Sequence, residues 1–288
     1  MTVTATQHRG QVRRSGARRG RAYLRSFIGV LITVSFLFPI LVAVSASFQT
    51  NAELFSTRPN LLPATPTLEN YQTALSTQAG PLLTSLQLGL YAALVCLTIA
   101  VPAAYALALF RWRGTGAVVL VLLITQMVPT VVMATPLFLL FNDLGLLNSL
   151  VGLVIADSAL GVPFAVIVLR AFMGGIPVEL REAALIDGAG DFRILWSVYM
   201  PVARTGIIAV GIFVFLFAWG DFIFGVTLNP GGQVRPLTVS IYQFFQAYRV
   251  DWAGVMATAV LATLPGVVLL IAAQRYIAAG LSSGSVKE

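Results

Sequence analysis

Six stretches of the chain are long and almost uninterruptedly apolar: residues 26–48, 82–110, 116–141, 149–172, 202–228 and 252–274. A helix crossing the hydrocarbon of a bilayer needs about 20 predominantly apolar residues. All six meet that length, and several exceed it, leaving room to tilt or kink. Pro39, Pro102, Pro129, Pro136, Pro163 and Pro265 fall within or beside them; proline is tolerated there when neighbours take up the carbonyls it frees. The pattern predicts an all-α, polytopic membrane protein with six transmembrane helices. The first stretch has the basic front of a signal peptide and small residues at Ser45, Ala46 and Ser47. Its apolar run is longer than the roughly 7–15 residues of a signal h-region, so it reads as a retained span.

Composition agrees with a lipid environment. Of 288 residues, 58% are hydrophobic and 10% charged, against about 25% charged in soluble domains. Membrane lipid is therefore a partner. The net charge is +7, and Arg9, Arg13, Arg14, Arg18, Arg19, Arg21 and Arg25 crowd into a basic tail over residues 1–25. With that tail in the cytoplasm, Arg111 and Arg113, then Arg170, Arg181, Arg193 and Arg204, and finally Arg275 and Lys287 also fall inside; only Arg58, Arg235 and Arg249 fall outside. This bias predicts cytoplasmic N- and C-termini. Residues 26–277 make the six-span domain and 278–288 a cytoplasmic tail. No basic stretch is interleaved with aromatics as a nucleic-acid surface would be. Cys96 and His8 are the sole residues of their kinds, which excludes a disulfide framework, a cysteine- or histidine-based metal site and a histidine triad.

The loops differ. The outer loop over 49–81 is long and rich in Pro, Thr and Asn, and the last, over 229–251, carries the turn signal Asn229-Pro230-Gly231-Gly232. The cytoplasmic segment 177–201, PVELREAALIDGAGDFRILWSVYMP, far exceeds the usual 2–8 residues of a helix–helix connection. Pro177 suits a first helical turn. Glu179 and Glu182 sit near that positive end. Leu180, Ala183, Ala184 and Asp187 share one face, kept small by the alanines. Gly188 can end the helix in the left-handed conformation, Asp191 can cap a second helix over 192–200, and Pro201 marks entry to the next span. Two short helices around a glycine elbow are predicted. They fit either a docking element or an amphipathic pair that only stabilises the bundle.

Glu182-Ala183-Ala184, Gly188, Val198 and Met200-Pro201 are spaced as in the EAA loop of ABC importer permeases, with Val198 and Met200 as conservative departures from that family's Ile-x-Leu-Pro end. The chain resembles the carbohydrate, maltose-type branch, and its shorter subunit. Ile176-Pro177 and Glu179-Leu180 agree, as do Pro66 to Tyr71, Phe217 to Phe222, Gln274-Arg275-Tyr276 and Gly280 to Lys287. Gly220 stands where that branch usually has Asn. The resemblance implies a bacterial inner-membrane location and a second homologous permease, two ABC ATPase subunits and an extracellular or periplasmic solute-binding protein as partners. It implies no cofactor in this chain, ATP and Mg being bound by the ATPase. Glu182 would make the polar contact to the ATPase, Ala183 and Ala184 the close packing and Gly188 the turn, with Asp187 and Pro201 in the same loop.

Polar groups at membrane depth are costly and often functional. Asp157 stands about 12 Å into the fourth span at 1.5 Å per residue. Asp221 and Trp219 lie near the outer end of the fifth, and Gln126 within the third. All four are candidates for a translocation path. Asp157 fits a helix–helix hydrogen bond equally well, and Trp219 an interfacial anchor. No GxxxxGK[ST] phosphate loop is present, so an importer would draw energy from a partner. An ion-coupled transporter would show repeats, and an intramembrane enzyme a nucleophile with its base; neither pattern is seen. Other solutes, such as glycerol phosphates, amino acids or peptides, remain alternatives to a sugar. The near-absence of Arg from the spans favours a neutral one.

Overall fold

The computed structural model describes the backbone over residues 5–57, 60–110, 112–246 and 249–283, and side chains over 23–57, 60–110, 112–245 and 250–274. Arg9 to Arg21 of the basic tail, Arg58, Arg111, Arg249, and the C-terminal similarity from Arg275 to Lys287 lie outside the described side chains. The chain folds as two compact units, Met1–Gln72 with Asp251–Val260, and Thr73–Val250 with Leu261–Glu288.

The first unit contains α1 (Ala5–Ser47), α2 (Asn51–Leu54), the start of α3 (Glu69–Leu109) and the start of α12 (Trp252–Ser283). Within α1, the apolar segment Tyr23–Ser47 has a mean hydropathy of 2.7, and none of its most apolar window is buried in this chain. Such a helix suits lipid or another chain. Where α1 ends, polar side chains fasten the loop. Asn70 donates from Nδ2 to the carbonyls of Ser47 (2.9 Å) and Gln49 (2.8 Å), and the Tyr71 hydroxyl meets Ser47 Oγ at 2.7 Å. The motif Pro66 to Tyr71 thus has a structural role, satisfying carbonyls left open at the end of a helix. Thr50 and Glu53 form a capping box on α2, and Glu53 also accepts from Thr65. Asp251 accepts from the Gly254 N–H and from Asn51, capping α12.

The second unit holds α4 (Thr115–Thr125), α5 (Thr130–Asp143), α6 (Leu150–Gly174), α7 (Glu179–Ile186), α8 (Asp191–Ile194), a π-helical turn (Leu195–Tyr199), α9 (Met200–Trp219), α10 (Ile223–Thr227) and α11 (Leu237–Ser240), followed by a 3₁₀ turn (Ile241–Phe244). The strands β1 (Phe245–Gln246) and β2 (Arg249–Val250) pair antiparallel, Phe245 with Val250; they are the one strand pairing among the described residues. Helix α6 packs mainly on α9 and α4. The core gathers Cys96, Ala100, Ala104, Ala165, Leu169, Met173, Val210 and Val214. Small residues let these helices approach closely, as membrane helix interfaces require. A Cβ on Gly89 would stand 2.9 Å from the Phe215 ring and 3.1 Å from its carbonyl oxygen.

Among the described residues, five helices are long and apolar enough to span a membrane, and a sixth crossing needs the bent pair α4 and α5 counted together. The third apolar stretch, expected as one helix over 116–141, breaks there by 96°. The break has a local cause. Gln126 and Met127 donate to the carbonyls three residues back, at 3.2 and 3.0 Å, which tightens the last turn. Pro129 then takes an extended conformation, ψ 136°, as the N-cap of α5. The fifth stretch, expected to run over 202–228, stops at Trp219; Gly220 forms the C-cap, and a new helix begins at Ile223. The second begins earlier than 82, at Glu69.

Candidate functional site

The segment 177–201 folds as the expected elbow. Helix α7 ends in a paired motif: the Ala189 N–H donates to Ala184 O (2.9 Å) and the Gly188 N–H to Leu185 O (3.0 Å). Gly188 sits at φ 78°, the left-handed conformation this ending demands. Pro177 precedes the N-cap, Val178, rather than opening the helix itself. Ala184 is buried in this chain's own core, while Glu182, Ala183 and Asp187 are exposed. The Glu182 carboxylate takes no partner among the described side chains. The same elbow exposes Ile186 (87%) and Phe192 (77%). Exposed apolar side chains of this size suit an interaction surface.

Two expectations for the second helix are corrected. Gly190, not Asp191, is the N-cap, and no side chain caps α8. The Asp191 carboxylate is engaged elsewhere: its Oδ1 accepts from Arg181 Nη2 at 2.8 Å and from the Tyr105 hydroxyl at 3.2 Å. Nor is the helix over 192–200 separate. It runs through the π turn into α9 as one helical segment, Asp191–Trp219. Pro201 explains the π turn, since it lacks an N–H for the carbonyl four residues back and crowds it. Hydrogen bonds to Asp191, and then to Tyr105, raise the Arg181 pKa above its ordinary value.

The translocation candidates do not share one cavity, although Asp157 and Asp221 lie close enough for their carboxylates to interact. Gln126, exposed at the α4–α5 break, lines a cavity of about 170 Å³ with Thr125, Thr130, Phe164, Phe213 and Phe217. The rings of Phe164 and Phe213 stack at 4.1 Å. Gln126 Nε2 also donates to Leu160 O (3.1 Å). Trp219 is buried, stacks on Phe215 at 6.0 Å and donates from Nε1 to Ala262 O (3.2 Å). Leu160 and Ala262 each stand three residues before a helix proline, Pro163 and Pro265, one residue after the carbonyl that the proline leaves without its N–H. Asp221 accepts from the N–H groups of Phe224 (3.3 Å) and Gly225 (2.9 Å), so it caps α10. Asp157 is 0% exposed, and neither carboxylate oxygen has a hydrogen-bond partner. It does not line the Gln126 cavity. Replacing it by an apolar residue of similar size removes an uncompensated polar group, which ordinarily costs about 1–3 kcal/mol. Asp157→Val is therefore expected to raise the melting temperature of the detergent-solubilised protein, and a lowered melting temperature would count against the orphaned carboxylate.

Reasoning from sequence did not single out Tyr105, Phe110, Phe164 or Phe213. The opposite charges of Arg181 and Asp191 flanking Gly188 were a readable signal for one of these clusters. Among the described residues, no group of three or more His, Cys, Asp or Glu side chains gathers as a metal site would.

Residues 97–283 match the family described as the inner membrane component of binding-protein-dependent transport systems. The chain belongs to that family. The matched region of this permease starts within α3 and takes in the whole elbow. A putative ABC transporter permease of Streptomyces antibioticus is 37% identical to it, over 78% of this chain and 100% of that one. The sulfoquinovosyl glycerol transport system permease of Agrobacterium fabrum is 30% identical, covering 92% and 93% of the two chains. The trehalose transport system permease of Mycobacterium tuberculosis is 28% identical, covering 94% and 99%. In fold, the permease is similar to a chain of a bacterial ABC transporter that imports the acidic polysaccharide alginate, with a TM-score of 0.78 at 22% identity, over 90% of this chain and 97% of that one.

Proposed function

We infer that this permease is a membrane subunit of an ATP-driven importer of a carbohydrate, and that the elbow 177–201 receives the ATPase. The observation that carries the reading is the exposed Glu182 and Ala183 on a helix ended at Gly188, with Ile186 and Phe192 of the same elbow exposed as well. That surface needs a partner. A second permease subunit, two ATPase subunits that bind ATP and Mg, and a solute-binding protein complete the assembly; no cofactor is held by this chain. The distribution of Lys and Arg supports cytoplasmic termini and a cytoplasmic elbow. A cysteine in place of Ile186, labelled by an impermeant maleimide only from the cytoplasmic side, checks that orientation.

A sugar substrate is supported by the relatives named for sugar conjugates and trehalose. The cavity at the α4–α5 break is also of suitable chemistry. It offers phenylalanine faces, an amide and two hydroxyl-bearing threonines, and no charged side chain. Apolar walls with a few placed polar groups are what small-molecule sites use. The test is reconstitution with the ATPases and binding protein, followed by uptake of labelled oligosaccharides. Uptake that requires ATP and is competed by a sugar supports the reading. Uptake that proceeds without ATPase subunits, or a binding protein that no sugar stabilises, contradicts it.

A further inference from the structure

We propose that Arg181 and Asp191 are positioning residues for energy coupling: their ion pair locks both helices of the elbow to the end of α3, so that a push on α7 moves α3 and α9 together. The inference rests on the importer reading and adds residues that the docking motif does not contain.

The elbow's bend is closed by the backbone bonds from Gly188 and Ala189 to Leu185 and Ala184. Gly188-Ala189-Gly190 links α7 to α8, and a Cβ on either glycine would meet nothing within 4 Å. At the bend, Ala184 and Ala189 pack on the core. Side chains tie the two helices to each other and to α3. Asp191 Oδ1 collects a donor from α7, Arg181 Nη2, and one from α3, the Tyr105 hydroxyl. The Arg181 guanidinium is held from a second side, 5.4 Å from the centroid of the Phe110 ring just past the end of α3. Charge-assisted hydrogen bonding combined with stacking orients a guanidinium as it cannot orient an ammonium.

The pair is poorly placed to serve stability. The Arg181 and Asp191 side chains are 21% and 45% exposed, and exposed ion pairs contribute little to folding. Its connections, by contrast, lead into the bundle. Tyr105 is 4% exposed and meets Tyr199 edge-on, with centroids 5.1 Å apart and planes at 80°. Tyr199 lies in the π turn, and Asp191 is the first residue of the helical segment that ends at Trp219. A displacement of α7 thus reaches α3 through Phe110 and Tyr105, and α9 through Asp191 and Tyr199. Without the pair, α7 keeps its backbone bend but loses its side-chain tie to Asp191.

The test uses the assembled transporter in phosphatidylethanolamine–phosphatidylglycerol vesicles and reads two rates, solute uptake and ATP hydrolysis. In Arg181→Ala and Asp191→Asn, uptake per ATP is expected to fall about tenfold, the size of ordinary coupling between sites. Copurifying ATPase and its hydrolysis rate are expected to stay within about twofold of wild type, because the docking surface is intact. The double variant is expected to lose no more than either single one, since the two groups act as a unit. Arg193→Ala, an exposed neighbour, leaves the ratio unchanged. Uptake and hydrolysis falling in proportion, or a double variant showing the product of two independent losses, would overturn the proposal. Where Arg181→Ala fails to assemble, Arg181→Lys and Tyr105→Phe take its place, and a wild-type ratio in both overturns the proposal equally. A wild-type transporter with no ATP-dependent uptake sinks the importer reading instead.

Discussion

Glu182→Lys is expected to abolish solute uptake while leaving the permease itself as stable as before. The carboxylate is exposed and bonded to no described side chain, so reversing its charge breaks no side-chain contact and costs the helix end at most about 1 kcal/mol. Any loss must then arise at a partner. If Glu182 meets a polar or cationic group in a desolvated cleft, reversal replaces a favourable contact with a repulsive one. Disrupting one side of such an interfacial pair ordinarily costs about 2–5 kcal/mol, and about 3 kcal/mol already weakens association about a hundredfold. The measurements are copurification of the ATPase and uptake in vesicles, with the melting temperature as the control for folding. Glu179→Lys supplies the internal comparison. It lies on the same short helix and is also exposed, but it stands outside the Glu-Ala-Ala triplet. An equal loss in both variants would reduce the effect to net charge on the loop. Unimpaired uptake in Glu182→Lys would remove the residue from the docking surface.

Which parts of this molecule its sequence disclosed follows from the kind of constraint each part obeys. Hydrophobic length is a local property, so the spanning helices are legible as runs, and Gly188 is legible because few other residues take a left-handed helix ending. A bend is different. The run over 116–141 is apolar throughout, and hydropathy is blind to the 96° turn that Pro129 imposes. The polar residues in the spans expose a second limit. Depth in the membrane follows from counting residues, but the direction a side chain faces depends on which helices become neighbours. Trp219 reads as a path residue for its aromatic face near the outer end of the fifth span, and Gln126 for its amide within the third. In the fold both donate to backbone carbonyls near helix prolines in α12 and α6, although Gln126 keeps a place in the cavity wall. Asp191 shows a third limit. Its cap role was sound as local chemistry, yet a cation ten residues earlier and a tyrosine from another helix captured the carboxylate.

Gly188→Val is expected to cut uptake about as severely as Glu182→Lys, for a reason that lies in the backbone alone. Its φ of 78° is positive, a region costing an L-residue roughly 1–2 kcal/mol and a β-branched one more. A Cβ there would meet nothing within 4 Å, so steric crowding by neighbours makes no contribution. The substitutions should therefore rank by tolerance of the left-handed region and not by size: Asn, which enters it readily, close to wild type, then Ala, with Val worst. Relief of the strain requires rotating Gly188 out of that region, which breaks the bonds from Gly188 to Leu185 and from Ala189 to Ala184 and redirects α8. Asp191 then leaves Arg181. Loss of ATPase binding and loss of coupling should appear together in Gly188→Val, whereas Arg181→Ala loses coupling alone. Uptake rates across Asn, Ala and Val, set beside ATPase copurification, separate these outcomes. A ranking by side-chain volume, with Asn as damaging as Val, would mean that a partner's surface packs directly against the glycine, and the elbow's importance would then lie in that contact and not in its angle.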